Sequence, residues 1–140
     1  MLKKILVTTD ASEYSQRALK TAVELARVFN AEIELLFVMQ MPLAYDSSVY
    51  SYIISQDEII SEGERALKAT LEGIDVSGVA LSLKKIQGKP ANVILKEVED
   101  ENIDLIVMGS HGYGAIVGSV LGSVSQKVLH GAKCSVLIVK

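Results

Sequence analysis

From Ile103 the chain reads Ile-Asp-Leu-Ile-Val-Met, then Gly-Ser-His-Gly-Tyr-Gly-Ala-Ile-Val-Gly-Ser-Val-Leu-Gly-Ser-Val-Ser, ending at Ser125. The first residues form a short apolar run rich in β-branched side chains and predict a buried strand over Ile103 to Met108. Glycines follow at 109, 112, 114, 118 and 122. Ser123-Val-Ser-Gln126 then has the form of a capping box, with Ser123 predicted to open a helix carrying Val124, Val128 and Leu129. Strand, glycine loop and capped helix together make a backbone able to wrap an anion. Glycine lets amides approach closely, and a helix amino end supplies unpaired N–H groups and positive potential.

Spacing narrows the anion. A phosphate-binding Walker loop needs Gly, four residues and Gly-Lys-Ser/Thr, and the chain contains no such string. Gly112, Gly114 and Gly118 miss the dinucleotide fingerprint by one position, and they follow a late strand instead of the first. A purely structureless loop of this length is uncommon in a compact domain, which favours a ligand over a plain surface connection.

The rest of the chain supplies the frame. Residues 3–9 read as a strand around Ile5, Leu6 and Val7, continuous as in a sheet covered on both faces. Ser12 can cap a helix over 13–29 whose buried stripe is Ala18, Ala22, Leu25, Ala26 and Phe29. A strand over 32–39 follows, completing a right-handed βαβ unit. After a loop broken by Pro42, apolar periodicity predicts a helix over 49–71; Tyr45, Tyr50 and Tyr52 near its start read as surface residues or as the wall of a ligand cleft. The alternation of 79–87 predicts a strand at a sheet edge, and Pro90 opens a helix to Asp100 burying Ile94, Leu95 and Val98. Gly131 reads as a helix stop before a last strand over 135–139. The order βαβαβαβαβ predicts an α/β fold, a doubly wound parallel sheet, with residues 1–140 as one domain. Asp10 and Gly109 then fall at carboxyl ends of strands, where such sheets bind ligands.

Bulk properties exclude several classes. A chain of 140 residues with 49% hydrophobic and 22% charged side chains is globular in composition. A net charge of −3 gives no footprint for nucleic acid or for an anionic membrane. No apolar run is long enough to span a bilayer, and the amino end is too short of apolar residues for a signal segment. The single cysteine, Cys134, provides no disulfide framework and reads as a small buried residue in a reducing, cytoplasmic setting. Two histidines and that cysteine, at unrelated spacings, make no zinc site. His111 has no nucleophile or carboxylate at a defined spacing for a triad; it reads as a loop residue within reach of a phosphate. His130 sits where a helix carboxyl end favours partial positive charge.

Gly109, two residues, Gly112, nine residues, Gly122-Ser123 resembles the ATP-binding signature of the universal stress protein family. The resemblance runs from Lys3-Lys-Ile-Leu-Val-Thr-Thr-Asp10-Ala-Ser12 through Gly88-Lys-Pro90 to Cys134-Ser-Val-Leu-Ile-Val-Lys140. It implies strand order 3-2-1-4-5, with the switch point between the first and fourth strands. It places Thr8, Thr9 and Asp10 at the adenosine part, although Thr8 stands where many members have proline. For Asp10 a helix-capping role and a ligand contact both remain open. The resemblance sets the backbone of Val38 against adenine and Met108 at the pocket floor. It brings Gly109, His111, Gly112 and Gly122, with the amides of Ser123, Val124 and Ser125, to ribose and phosphates; the two serine hydroxyls are potential further donors. Residues 109–125 contain no lysine or arginine, and Tyr113 occupies a place where relatives often carry arginine, so Mg²⁺ or Mn²⁺ is expected with ATP, and AMP or ADP stays open as the ligand. The family reading is a nucleotide-dependent regulatory module; the alternatives are a slow ATPase or nucleotidyl transferase on the same fold and, with no tryptophan in the chain, a less well supported flavin carrier. A homodimer through Ser135 to Val139 is expected, because Val136 to Val139 is an apolar edge without charge or proline.

Overall fold

Apolar runs too short to be helices become the strands of one parallel sheet, and amphipathic segments between them become its covering helices. The computed structural model describes residues 1–40, 56–112 and 120–140. Its elements are β1 (Lys4–Thr9), α1 (Glu13–Phe29), β2 (Glu32–Met39), α2 (Gln56–Leu71), β3 (Leu81–Gln87), α3 (Pro90–Asp100), β4 (Leu105–Gly109), α4 (Ser123–Gly131) and β5 (Ser135–Val139). The sheet order is β3-β2-β1-β4-β5, all neighbours parallel, as the resemblance implies. Strand order reverses between β1 and β4, whose register pairs Ile5 with Leu105 and Val7 with Val107.

The two sheet faces carry separate cores. Ile5, Val7, Ile33, Leu35 and Val107 pack with Ala18, Leu19, Ala22, Val23 and Ala26 of α1 and Leu67 of α2. Leu6, Leu36, Ile106 and Met108 pack with Ile94 and Val98 of α3 and Val128 of α4. This alternation within each central strand explains their continuous apolar sequences. Both edge strands, β3 and β5, are only partly buried.

The structure redraws several boundaries. Val79 stays in a turn, its amide donating to Val76 over 3.2 Å beside Gly78 at φ 76°, so β3 starts at Leu81. Ile103 closes the exit from α3, its amide donating to Val98 over 3.1 Å, and β4 begins only at Leu105. Phe29 is 53% exposed because it lies in the last turn of α1, overhanging the amino edge of the sheet before Asn30 reverses the chain. Leu129 is likewise exposed, on the outer side of α4. Gly131 ends α4 without a left-handed turn; a Cβ there would lie 2.8 Å from Leu95 Cδ1, so packing of α3 on α4 accounts for the glycine. Residues 49–55 of the expected second helix, with Tyr45, Tyr50, Tyr52 and the loop glycines 114 and 118, lie outside the described residues. Among the described residues, no helix is long and apolar enough to cross a membrane.

Candidate functional site

At the carboxyl end of β1 the chain turns through Asp10 and Ala11 into α1. Asp10 Oδ1 accepts from the Ser12 amide at 3.0 Å and from Ser15 Oγ at 2.8 Å, while the Asp10 amide donates to Ser15 Oγ at 3.1 Å. Ser12 is the N-cap of α1, its hydroxyl accepting from the Ser15 amide, as the sequence predicts. Asp10 is therefore not the cap; its carboxylate fixes the turn that precedes it. Ala11 holds φ 67°, a left-handed conformation that costs a non-glycine residue free energy and marks a tightly determined turn. The Ala11 amide donates to Thr9 Oγ1, and that hydroxyl meets Thr70 Oγ1 at 2.6 Å in the buried contact between β1 and α2. Thr9 thus spends its side chain on the protein.

Beside this turn lies the end of β4. A Cβ on Gly109 would come within 2.6 Å of Tyr14 Cβ, so the glycine there lets the first turn of α1 sit directly on the strand end. A Cβ on Gly112 would fall 2.1 Å from Asp10 Oδ2, which puts the start of the glycine loop against the Asp10 carboxylate. Gly122 differs: its Cβ would meet nothing closer than 3.5 Å, and its φ of −68° suits any residue. It is the N-cap of α4, with no side-chain cap bond, which displaces Ser123 from the predicted capping role to the first helical position. The Gln126 side chain, expected to complete a box, instead donates to the Leu121 carbonyl.

The hydrogen bond that the Gln126 amide donates to the Gly122 carbonyl is the first of the helix, so the amides of Ser123, Val124 and Ser125 have no acceptor within it. These N–H groups and the helix dipole give the amino end of α4 a positive potential. The Ser125 hydroxyl is buried and donates to the Gly109 carbonyl at 2.9 Å, fastening α4 to β4. Ser123 stays exposed.

The remaining predicted residues fall into two groups. Met108 is buried at the end of β4, on the face covered by α3 and α4. Thr8 and Val38 occupy the carboxyl halves of β1 and β2, where Val38 pairs with Ile86 and the Met39 carbonyl accepts from the Gly88 amide at 2.9 Å. Thr8 therefore lies on the strand next to β4 and its glycine loop, and Val38 lies one strand further, separated from the loop by the width of β1.

Sequence reading missed Ser110, Tyr14 and Arg17. Ser110 is buried, donates its amide to Val139 and accepts from the Gly122 amide, and its hydroxyl lies 3.1 Å from His111 Nδ1. The Tyr14 ring lies 5.4 Å from that of His111, and the Arg17 guanidinium stands 4.8 Å over Tyr14 while donating to the Lys140 carbonyl. A cation thus approaches a glycine loop that has none in its own sequence, a juxtaposition created only when α1 lands on β4. Cys134 is half-buried, and burial pushes its thiol upward, away from a reactive thiolate. An open concavity of about 330 Å³ between Glu13, Arg17 and Lys20 of α1 and Glu72 after α2 mixes both charge signs and belongs to no strand end.

A model of the universal stress protein family matches residues 1–140. The chain belongs to that family. A universal stress protein of Methanocaldococcus jannaschii is 34% identical over 141 residues, covering 100% of this chain and 83% of its own length. The universal stress protein UspA from Lactobacillus plantarum superposes with a TM-score of 0.85 at 26% identity, covering 99% of this chain and 97% of its own. A universal stress protein solved in complex with cAMP has a TM-score of 0.68 at 24% identity, covering 99% and 96%; at that identity the likeness concerns the fold alone. In this member of the family, the glycine signature converges with Asp10 at the switch point between β1 and β4.

Proposed function

We propose that this universal stress protein binds an adenine nucleotide, ATP foremost, as a regulatory module. The observation that carries the reading is the amino end of α4. It has a glycine cap in place of a side chain, three amides without intrahelical acceptors, and a position at the switch point beside Asp10. Phosphates accept from the amides of Ser123, Val124 and Ser125 and from the loop at Gly109, His111 and Gly112. The adenosine part runs over Thr8, Thr9 and Asp10 toward the Val38 backbone. AMP and ADP fit the same cradle with fewer phosphate contacts. Hydrolysis, where it occurs, is slow, since this assembly is one of backbone amides and committed hydroxyls.

Among the described residues, no group of three or more His, Cys, Asp or Glu could hold a metal ion. Mg²⁺ or Mn²⁺ would therefore arrive with the nucleotide, coordinated mainly by phosphate oxygens, and would supply neutralising charge. The protein acts as a homodimer joined through Ser135 to Val139.

Identifying the small molecules released when the purified protein is denatured tests the nucleotide reading. An adenine nucleotide near one per chain is expected. A flavin, or a protein that neither carries nor takes up adenine nucleotide, contradicts it.

A further inference from the structure

Glu34 lies in the amino half of β2, inside a sheet covered on both faces, and is only 4% exposed. Its register partners are Leu6 on β1 and Ser82 on β3, so it occupies the face packed by α3. Glu97 of α3, 5% exposed, meets it there. Around them lie Lys4 of β1, Glu32 of β2, Lys84 of β3 and Glu101 of α3. Lys84 Nζ pairs with Glu97 and, at 3.3 Å, with Glu101; Lys4 Nζ pairs with Glu101 at 3.0 Å and with Glu32 at 3.7 Å. Both ammonium groups thus have other partners than Glu34. Glu34 Oε1 is buried without a hydrogen-bond partner among the described residues.

Lys84 and Lys4 draw Glu34 toward its charged form, but burial and the facing Glu97 outweigh them, so the ionised form is disfavoured. We propose that Glu34 holds a proton where it meets Glu97 and that its loss as pH rises loosens α3 from the sheet, so that docking of this helix is a proton-linked switch. With the proton in place Glu34 donates to Glu97, and Lys84 balances the remaining charge. Without it, two largely buried carboxylates face each other. Burial first, and the neighbouring Glu97 second, push Glu34 up to about 7.

The sign follows from this rise. Between the ordinary carboxyl value of 4.5 and about 7 the folded chain holds a proton that the unfolded chain has released. The stabilisation is complete below 4.5 and is lost as pH rises through about 7. The effect concentrates on α3, which carries Glu97 and Glu101 and is entered through Gly88, whose amide is tied to Met39 at the carboxyl edge of β2.

Amide hydrogen exchange on the full chain, corrected for intrinsic rates and compared between about pH 5.5 and about pH 8, reads this directly. Protection of α3 should fall relative to α1 as pH rises. Glu34→Gln, which can donate to Glu97 and cannot ionise, should abolish that fall. Should this variant not fold, Glu97→Gln gives the second reading: removal of the like charge should move the transition to lower pH. Uniform α3 protection across the range overturns the proposal. So does an undiminished fall in Glu34→Gln, or an unmoved transition in Glu97→Gln.

Discussion

The amide of Gly122 donates to the carbonyl of Ser110 over 2.7 Å, closing the two ends of the glycine loop on each other. Ser110 donates in turn to Val139, so the end of β4, the end of β5 and the start of α4 are fixed as one unit. The loop is therefore a closed ring of backbone at its base. That arrangement separates glycines that serve the fold from glycines that leave room for something else.

Gly109 belongs to the first kind. An added methyl would meet Tyr14 Cβ at 2.6 Å and the Tyr14 carbonyl carbon at 3.0 Å, and backbone cannot swing aside as a side-chain tip can. Gly109→Ala is expected to destabilise the protein by roughly 1–3 kcal/mol, as overpacking does. Denaturant unfolding without nucleotide checks this, and an unchanged midpoint would contradict it.

Asp104 staples the amino ends of β1 and β4. Its Oδ2 accepts from the amides of Lys3 and Lys4, each at 2.9 Å, and these bonds hold its carboxyl below its ordinary value of 3.8. The stability it provides is present above 3.8 and lost as pH falls below it. Asp104→Asn should lower stability at neutral pH by roughly 0.5 kcal/mol, a figure reduced for solvent screening. The gap between the two proteins should narrow as the medium becomes acidic. Urea titrations at several pH values would show it, and a gap that widens toward acid would refute the assignment.

The outer edge of β5, the last strand of the sheet, can be probed with one proline. The Val139 carbonyl accepts from Ser110, so residues 135, 137 and 139 turn their backbone groups toward β4 and residues 136 and 138 turn theirs outward. Ile138→Pro removes an outward donor and leaves the β4 ladder in place. Light scattering at micromolar concentration should give a dimeric mass for the natural chain and a monomeric one for this variant, both folded by circular dichroism. A monomeric natural chain, or a dimeric variant, would place the contact elsewhere or nowhere.

The fold was legible because each link is local. Apolar runs such as Ile5-Leu6-Val7, the Ser12 cap and Pro90 declare their elements in sequence, and the alternation of strands with helices leaves few topologies. The candidate site was legible as far as its backbone: the spacing of Gly109, Gly112 and Gly122-Ser123 marks the loop. What the spacing did not carry was the division of labour. Whether Gly109 spares room for a ligand or for Tyr14, and whether the Ser125 hydroxyl faces a ligand or Gly109, depends on contacts between distant segments. The approach of Arg17 to His111 through Tyr14 depends on the same docking of α1. Glu34 did leave a trace, a charge set between Ile33 and Leu35 inside a strand that is apolar after Glu32; the surrounding run of Ile33, Leu35 and Leu36 masked it.

Gly122 is the glycine whose neighbours make no demand on it, since an added Cβ would have only ordinary contacts at 3.5 Å with His111 and Ser110. On the proposed nucleotide reading, its small size matters for the approach of phosphate to the amides of α4. The decisive measurement is ATP titration by calorimetry of the natural chain beside Gly122→Val, each with its folded state verified by circular dichroism. We predict a folded variant whose affinity for ATP is lower by about tenfold or more, equivalent to at least roughly 1.4 kcal/mol. Unchanged affinity in a folded Gly122→Val protein would show that the nucleotide does not lie on this loop.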